Sequence, residues 1–235
     1  MIELWPAIDI IGGEKVRLTE GDYGTTETMK RTPLEAVRFY RQFEQVKRIH
    51  LVDLMGAKEK SPREYETFAQ LIAAAESMPV EIGGGIRSEA TIQAYLELGA
   101  DYLVIGTRGL QDPDWLRSQA EKRPGRLVLG LDAQGTDIAI NGWLESLGVD
   151  IFEFVDQIQD VPLGGIIYTD IRKDGRMEGP SFELTGELVK RSVHPVIASG
   201  GVRSKDDVDR LEALGVQAAI VGKAANTDSF WAAYQ

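Results

Sequence analysis

The sequence contains no cysteine. Disulfides, thiolate metal sites and cysteine nucleophiles are therefore excluded, and the composition fits a reducing compartment. Histidine is nearly as scarce. His50 and His194 are the only two, too few for a histidine-based metal site. His50 opens an apolar run and His194 precedes a proline, so both are read as structural. No apolar run approaches the roughly 18 residues of a membrane span. No basic-then-apolar signal opens the chain, so neither membrane nor secretion is expected and the cytoplasm is the expected location. Walker and dinucleotide fingerprints are absent, and with no metal-ligand cluster the chemistry is expected to need no cofactor and no metal. Positive charge is in deficit: 26 Lys and Arg face 37 Asp and Glu, giving a net charge of −11. A broad anionic surface does not suit nucleic acid.

What the sequence has is glycine in repeated blocks. Val196 to Ser204 reads VIASGGVRS, and Val80 to Ser88 reads EIGGGIRS after its first valine. At a constant offset of 116 residues Gly84 falls on Gly200, Gly85 on Gly201, Arg87 on Arg203 and Ser88 on Ser204. The same offset carries Leu98 onto Leu214, Gly99 onto Gly215 and Gly106 onto Gly222 without a gap. Matched order and spacing over two β-α-β units read as an internal duplication. A strand ending in glycines exposes bare backbone N–H groups, and a helix starting just beyond favours an anion. Two phosphate sites are expected, one at Gly84, Gly85, Gly106 and Thr107 and the other at Gly200, Gly201, Gly222 and Lys223. Lys223 either adds a cation there or is an ordinary solvated lysine.

Taken in order, the chain alternates short apolar runs with helical patterns. Strands are expected at 4–10, 49–54, 80–82, 102–105, 127–133, 165–170, 196–199 and 218–221. A small hairpin arm is expected at 15–19 and a long polar loop at 20–32. A loop covers 55–61, and helices cover 62–76 and 147–158. Eight strand-then-helix units with continuously apolar strands imply a parallel sheet buried on both faces. In 235 residues they read as a single (β/α)8 TIM barrel, an α/β fold of two (β/α)4 halves at about 1–122 and 123–235. A doubly wound open sheet is the weaker alternative, because closure uses both halves alike.

In such a barrel, chemistry sits at the carboxyl-terminal ends of the strands. Asp9, Asp53, Asp132 and Asp170 end strands there, and Asp174 follows in the sixth loop. Asp9 and Asp132 end the first strand of each half and are expected on opposite sides of the mouth. One charged and one protonated carboxyl can take a proton on one side and deliver one on the other. Asp53 and Asp170 are read as either loop anchors or site residues. Two acids between two phosphate sites imply a small-molecule substrate with a phosphate at each end, and proton transfer next to a carbonyl or imine.

Several of these segments resemble one known family. They are Ala7 to Ile10 with Gly12 and Gly13, Val16 to Leu18, His50 to Leu54 with Gly56 and Ala57, and Gly83 to Arg87. Tyr168 to Ile171 with Asp174, Gly175, Gly179 and Pro180 is the most specific block, and Ser199 to Val202 completes the set. The pattern is similar to the histidine-biosynthesis isomerases that act on phosphoribosylformimino-5-aminoimidazole carboxamide ribotide. The resemblance implies an Amadori rearrangement, an aminoaldose becoming an aminoketose. It implies Asp9 as the base and Asp132 or Asp174 as the acid, with Asp132 placed first. Thr169 is implied as a hydrogen-bond partner, and Trp143 and Arg17 as residues that stack on or clamp the imidazole part. Met55 departs from the pattern where the family usually has an aspartate, and Ser181 where asparagine is common.

Three rivals share much of this equipment. The paralogous cyclase, which works with a glutaminase, shares both phosphate sites, but usually carries a cysteine before its first aspartate. A dual-substrate isomerase acting also on phosphoribosylanthranilate would run identical chemistry. A non-catalytic phosphosugar-binding barrel would keep the glycines without needing Asp9 and Asp132. The expected partner is the bisphosphorylated small molecule alone, on a monomer.

Overall fold

The short apolar runs pair side by side, and the last returns to the first. The computed structural model describes the backbone of residues 1–235 and the side chains of all but residues 25–28. The strands are β1 (Glu3–Ile11), β2 (Glu14–Thr19), β3 (Asp22–Thr28), β4 (Ile49–Asp53), β5 (Val80–Gly83) and β6 (Tyr102–Ile105). They continue with β7 (Leu127–Gln134), β8 (Asp137–Ile140), β9 (Glu145–Asp150), β10 (Gly165–Asp170), β11 (Val196–Ser199) and β12 (Ala218–Val221). Strands β1, β4, β5, β6, β7, β10, β11 and β12 form a closed parallel ring, with β7 pairing β10 and β12 pairing β1. Helices cover the outside, giving the expected (β/α)8 barrel.

The period-2 geometry of a strand explains why these runs are apolar at every position. Along β1, Leu4, Ile8 and Ile10 join the core beneath the helices. Trp5 and Ala7 point the other way and fill the barrel interior with Val128, Ile167, Ile197, Ala218 and Ile220. Towards the lower end the Arg48 guanidinium lies 3.8 Å from the Trp5 ring centre and 3.5 Å from that of Tyr102. The axis is therefore packed, not open.

Four expectations are corrected. Residues 20–32 are not a loop: β3 lies within them and pairs with β2 as a hairpin arm. The segment 55–61 is not a loop either. A helix runs Leu54–Glu59, and Asp53 caps it by accepting from the Gly56 N–H at 2.7 Å. The helix expected over 147–158 is two elements, β9 and then a helix Ile151–Gln157. Gly148 disfavours a helix interior by about 1 kcal/mol. Asp150 stops the strand and caps the helix, accepting from the Phe152 N–H at 2.8 Å. The helix expected over 62–76 is shorter, Tyr65–Ala75, and a helix at Thr107–Gln111 has no forerunner in the sequence reading.

The hairpin arm contains a buried cation. Lys15 is 1% exposed and donates to Asn226 Oδ1. Burial, with Arg31 and Arg17 nearby, pushes its amine down to about 8 against a weaker pull from Asp9. Below pH 8 the folded chain bears the full penalty of this charge. Between about pH 8 and 10.5 the unfolded chain binds a proton that the folded chain does not, so this group makes stability rise with pH. Lys15→Met removes that slope. Urea unfolding of both proteins at pH 7.5 and 10 is expected to show the wild type gaining up to about 3 kcal/mol relative to the variant. Parallel pH profiles would contradict it.

Candidate active site

The upper end of the barrel is a cavity of about 270 Å³. Small residues make it: Ala7, Gly83, Gly106, Gly130 and Gly222 line it where larger inward side chains would fill it. Asp9, Asp132 and Asp174 all face it. Strands β1 and β7 stand four places apart in a ring of eight, so Asp9 and Asp132 lie across the mouth from each other.

Asp9 is placed by the turn at Gly12 and Gly13. Strand β2 folds back antiparallel on β1 with Asp9 opposite Val16, which returns Arg17 over the rim. Arg17 Nη1 donates to Asp9 Oδ2 at 2.5 Å, and Nη2 lies 4.0 Å from Asp174 Oδ1. Arg17 is 6% exposed and its Nε has no hydrogen-bond partner among the described residues. The Asp174 loop approaches β2 because Gly175 has no side chain. A Cβ there would strike the Leu18 carbonyl, and its φ of +71° suits glycine. The Glu20 N–H then donates to the Asp174 carbonyl at 3.0 Å, tying hairpin to loop.

Asp132 stands beside Thr169 in register across β7 and β10. Trp143 Nε1 donates to Asp132 Oδ2 at 2.7 Å, and Thr169 also hydrogen-bonds the carboxylate. Trp143 is therefore a cavity residue, not a core tryptophan. It carries a φ of +69° and Asn141 one of +55°, a left-handed backbone that costs non-glycine residues about 1–3 kcal/mol. That strain sits at the site, where the indole closes over Asp132 and packs onto Gly21.

The two acids candidates differ electrostatically. By solvent contact both are half-buried, yet protein encloses the cavity they open on. Burial pushes Asp174 up to about 6, helped by Asp9 and Asp132 and opposed by Arg17. Burial raises Asp132 as well, but its two hydrogen-bond donors favour the charged form.

The glycine blocks flank these acids. Gly84 and Gly85 have φ of +108° and +74°, and Gly200 and Gly201 have +89° and +80°. A Cβ on Gly84 would meet the Asp53 carbonyl, and one on Gly200 would lie 3.2 Å from that of Asp170. Each turn thus nestles against the aspartate that ends the preceding barrel strand. Asp53 and Asp170 anchor loops: Asp53 accepts from Gly56 and Arg63 N–H groups, and Asp170 accepts from Arg172 and Ser181. Neither lines the cavity. Ser181 at the departure from the family pattern thus donates to Asp170 at 2.5 Å.

The other residues singled out from the sequence also line this cavity: Thr107 beside Gly106, and Lys223 beside Gly222. Lys223 has no ion-pair partner among the described residues. Arg87 and Arg108 join the Gly84 side, with Arg108 Nη1 on the Arg87 carbonyl at 3.2 Å. These cations give a negative chain a positive mouth. Arg108, Tyr23 and His50 line the cavity but are absent from the sequence-based site. Only the repeat of Arg87 hinted at that basic side, and His50 was read as structural. Among the described residues no cluster of three or more His, Cys, Asp or Glu is arranged to hold a metal ion. No helix of the described residues is long and apolar enough to cross a membrane.

A family model described as "Histidine biosynthesis protein" matches residues 3–230, nearly the whole barrel including every residue of this mouth. The chain belongs to the histidine biosynthesis protein family, the enzymes that comprise the ribotide isomerase and its paralogous cyclase.

Proposed function

We propose that the protein is the isomerase of this family, converting phosphoribosylformimino-5-aminoimidazole carboxamide ribotide to its phosphoribulosyl isomer. The observation that carries the reading is a single cavity where Asp9, gripped by Arg17, faces Asp174 and Asp132 between two glycine turns. The turns offer N–H groups to a phosphate at each end of the substrate, and Arg87, Arg108 and Lys223 add charge. The sugar would then lie between the acids.

Asp174 is the better general acid. Its carboxyl is pushed up to about 6, and among the described residues it accepts no side-chain hydrogen bond, whereas Trp143 and Thr169 bond Asp132 and partly oppose the upward push of burial on it. Asp174 would protonate the ring oxygen, the C1–O bond would break, and an iminium would form at C1. Asp9 would take the C2 proton to give the enolamine, and C1 would be protonated as C2 becomes a ketone. Asp132 would sit on the far side, held by Trp143 and Thr169. The absence of a cysteine before Asp9 and the block Tyr168 to Ile171 favour the isomerase over the cyclase.

Three substrates separate the readings: the aminoaldose, the aminoketose with ammonium, and phosphoribosylanthranilate. The isomerase consumes the first. Consumption of the second alone makes the protein a cyclase, and consumption of the third adds the dual specificity. The pH profile tests the acid. As the protonated acid, Asp174 should give kcat/KM a limb falling about tenfold per pH unit above about 6. Asp174→Asn should remove that limb. A limb that survives in the variant belongs to the substrate phosphates, and Asp132 is then the acid.

A further inference from the structure

In the rearrangement the C2 hydroxyl must also lose a proton, a step that the roles given to Asp174 and Asp9 leave unassigned. Starting from the enolamine N–CH=C(OH), C1 gains a proton, the C2 hydroxyl loses one and a C=O bond replaces the C=C. The two electrons of the O–H bond become the carbonyl π bond, and those of the C=C bond form the new C1–H bond. A base is needed at the C2 oxygen.

The cavity floor has one. His50 lies on β4 opposite Ala7, one inward layer below Asp9, which faces Val52. The surrounding floor is Ala7, Gly83, Gly130, Val104, Ile167 and Ile220, which handle no protons. His50 is opposite Glu81 in the β4–β5 register, so both inward side chains meet. The ring Nδ1 is 2.6 Å from Glu81 Oε1, and Arg48 Nη1 donates to Glu81 Oε2 at 2.7 Å. Glu81 is 0% exposed, and Arg48 is clamped between two aromatic rings. With its carboxylate paired to Arg48, Glu81 accepts the Nδ1 proton, which leaves Nε2 as the basic nitrogen. Nε2 has no partner among the described residues, and the residue lines the cavity. A buried ion pair of this kind costs desolvation, so its presence is weak evidence for a stabilising role.

Resting on the isomerase reading, we infer that His50, oriented by Glu81 and Arg48, accepts the C2 hydroxyl proton as the enolamine becomes the ketone, with its ring receiving the proton at Nε2. It is a third proton-handling residue acting after Asp9.

The test separates steps. The aminoaldose is incubated in D2O with the wild type, His50→Gln and Glu81→Gln, and both ketose formation and deuterium entering C2 of the recovered aldose are followed. Wild-type turnover comes first: its absence sinks the isomerase reading and not this assignment in particular. Given turnover, His50→Gln should slow ketose formation more than 100-fold while C2 exchange continues, raising the exchange-to-product ratio at least tenfold. Glu81→Gln keeps an acceptor for Nδ1–H but loses the charge, and should raise the ratio in the same direction by a smaller factor. Loss of exchange and product in step, or a ratio unchanged in both variants, overturns the assignment and leaves the network a structural one.

Discussion

Replacing Asp9 with asparagine is expected to lower turnover of the aminoaldose by roughly 10²–10⁴-fold while substrate affinity stays within a few-fold. The substitution changes no volume. Asn can still accept from Arg17 through its carbonyl, so the 2.5 Å contact at the rim has a partner. What Asn cannot do is take a proton. Arg17 also keeps Asp174, 4.0 Å from Nη2, so the guanidinium is not left without an anion. Steady-state kinetics with a direct binding measurement checks this, and turnover within tenfold of wild type would remove Asp9 as the base.

Gly201→Ala is expected to cost both stability and binding, and a control separates the two. Gly201 has φ +80°, and a Cβ there would lie 2.5 Å from the Gly179 carbonyl and 3.1 Å from the Lys173 side chain. Left-handed strain alone costs about 1–3 kcal/mol. The backbone must also shift, and it is the backbone whose N–H groups would hold a phosphate. Losing one or two charge-assisted hydrogen bonds costs about 3 kcal/mol, roughly a hundredfold in KM. Gly125 has a similar φ of +77°, has open space around it and does not line the cavity. Gly125→Ala should therefore lose about the same strain energy with KM unchanged. Urea unfolding and kinetics on both variants read the difference, and equal KM effects would mean that the Gly201 turn does not touch substrate.

The barrel was legible because each of its strands is apolar on both faces, so run length and spacing alone mark them. The arms at the mouth were not. Strand β3 is a polar sequence that pairs with β2 alone among the strands, so it carries no apolar alternation to mark it. Strand β9 has just Leu147 and Val149 on its inner side, a two-residue signal lost beside the stronger helix that follows. For the site, glycine blocks and strand-end aspartates point at the mouth because the fold puts strand ends there. Asp53 and Asp170 share that position yet turn into loops, a difference set by the N–H donors that the next segment brings. His50 was hidden for the opposite reason. A histidine in an apolar strand looks like filler until its register partner, Glu81, is known to face the same interior.

The measurement that tests the central claim most directly is steady-state conversion of the purified wild type acting on the aminoaldose ribotide, without added metal or cofactor, with the product followed by NMR. An Amadori isomerase yields the phosphoribulosyl aminoketose, and Asp9→Asn yields it at least about a hundredfold more slowly under the same conditions. Tight binding of the aminoaldose by the wild type with no ketose formed would contradict it.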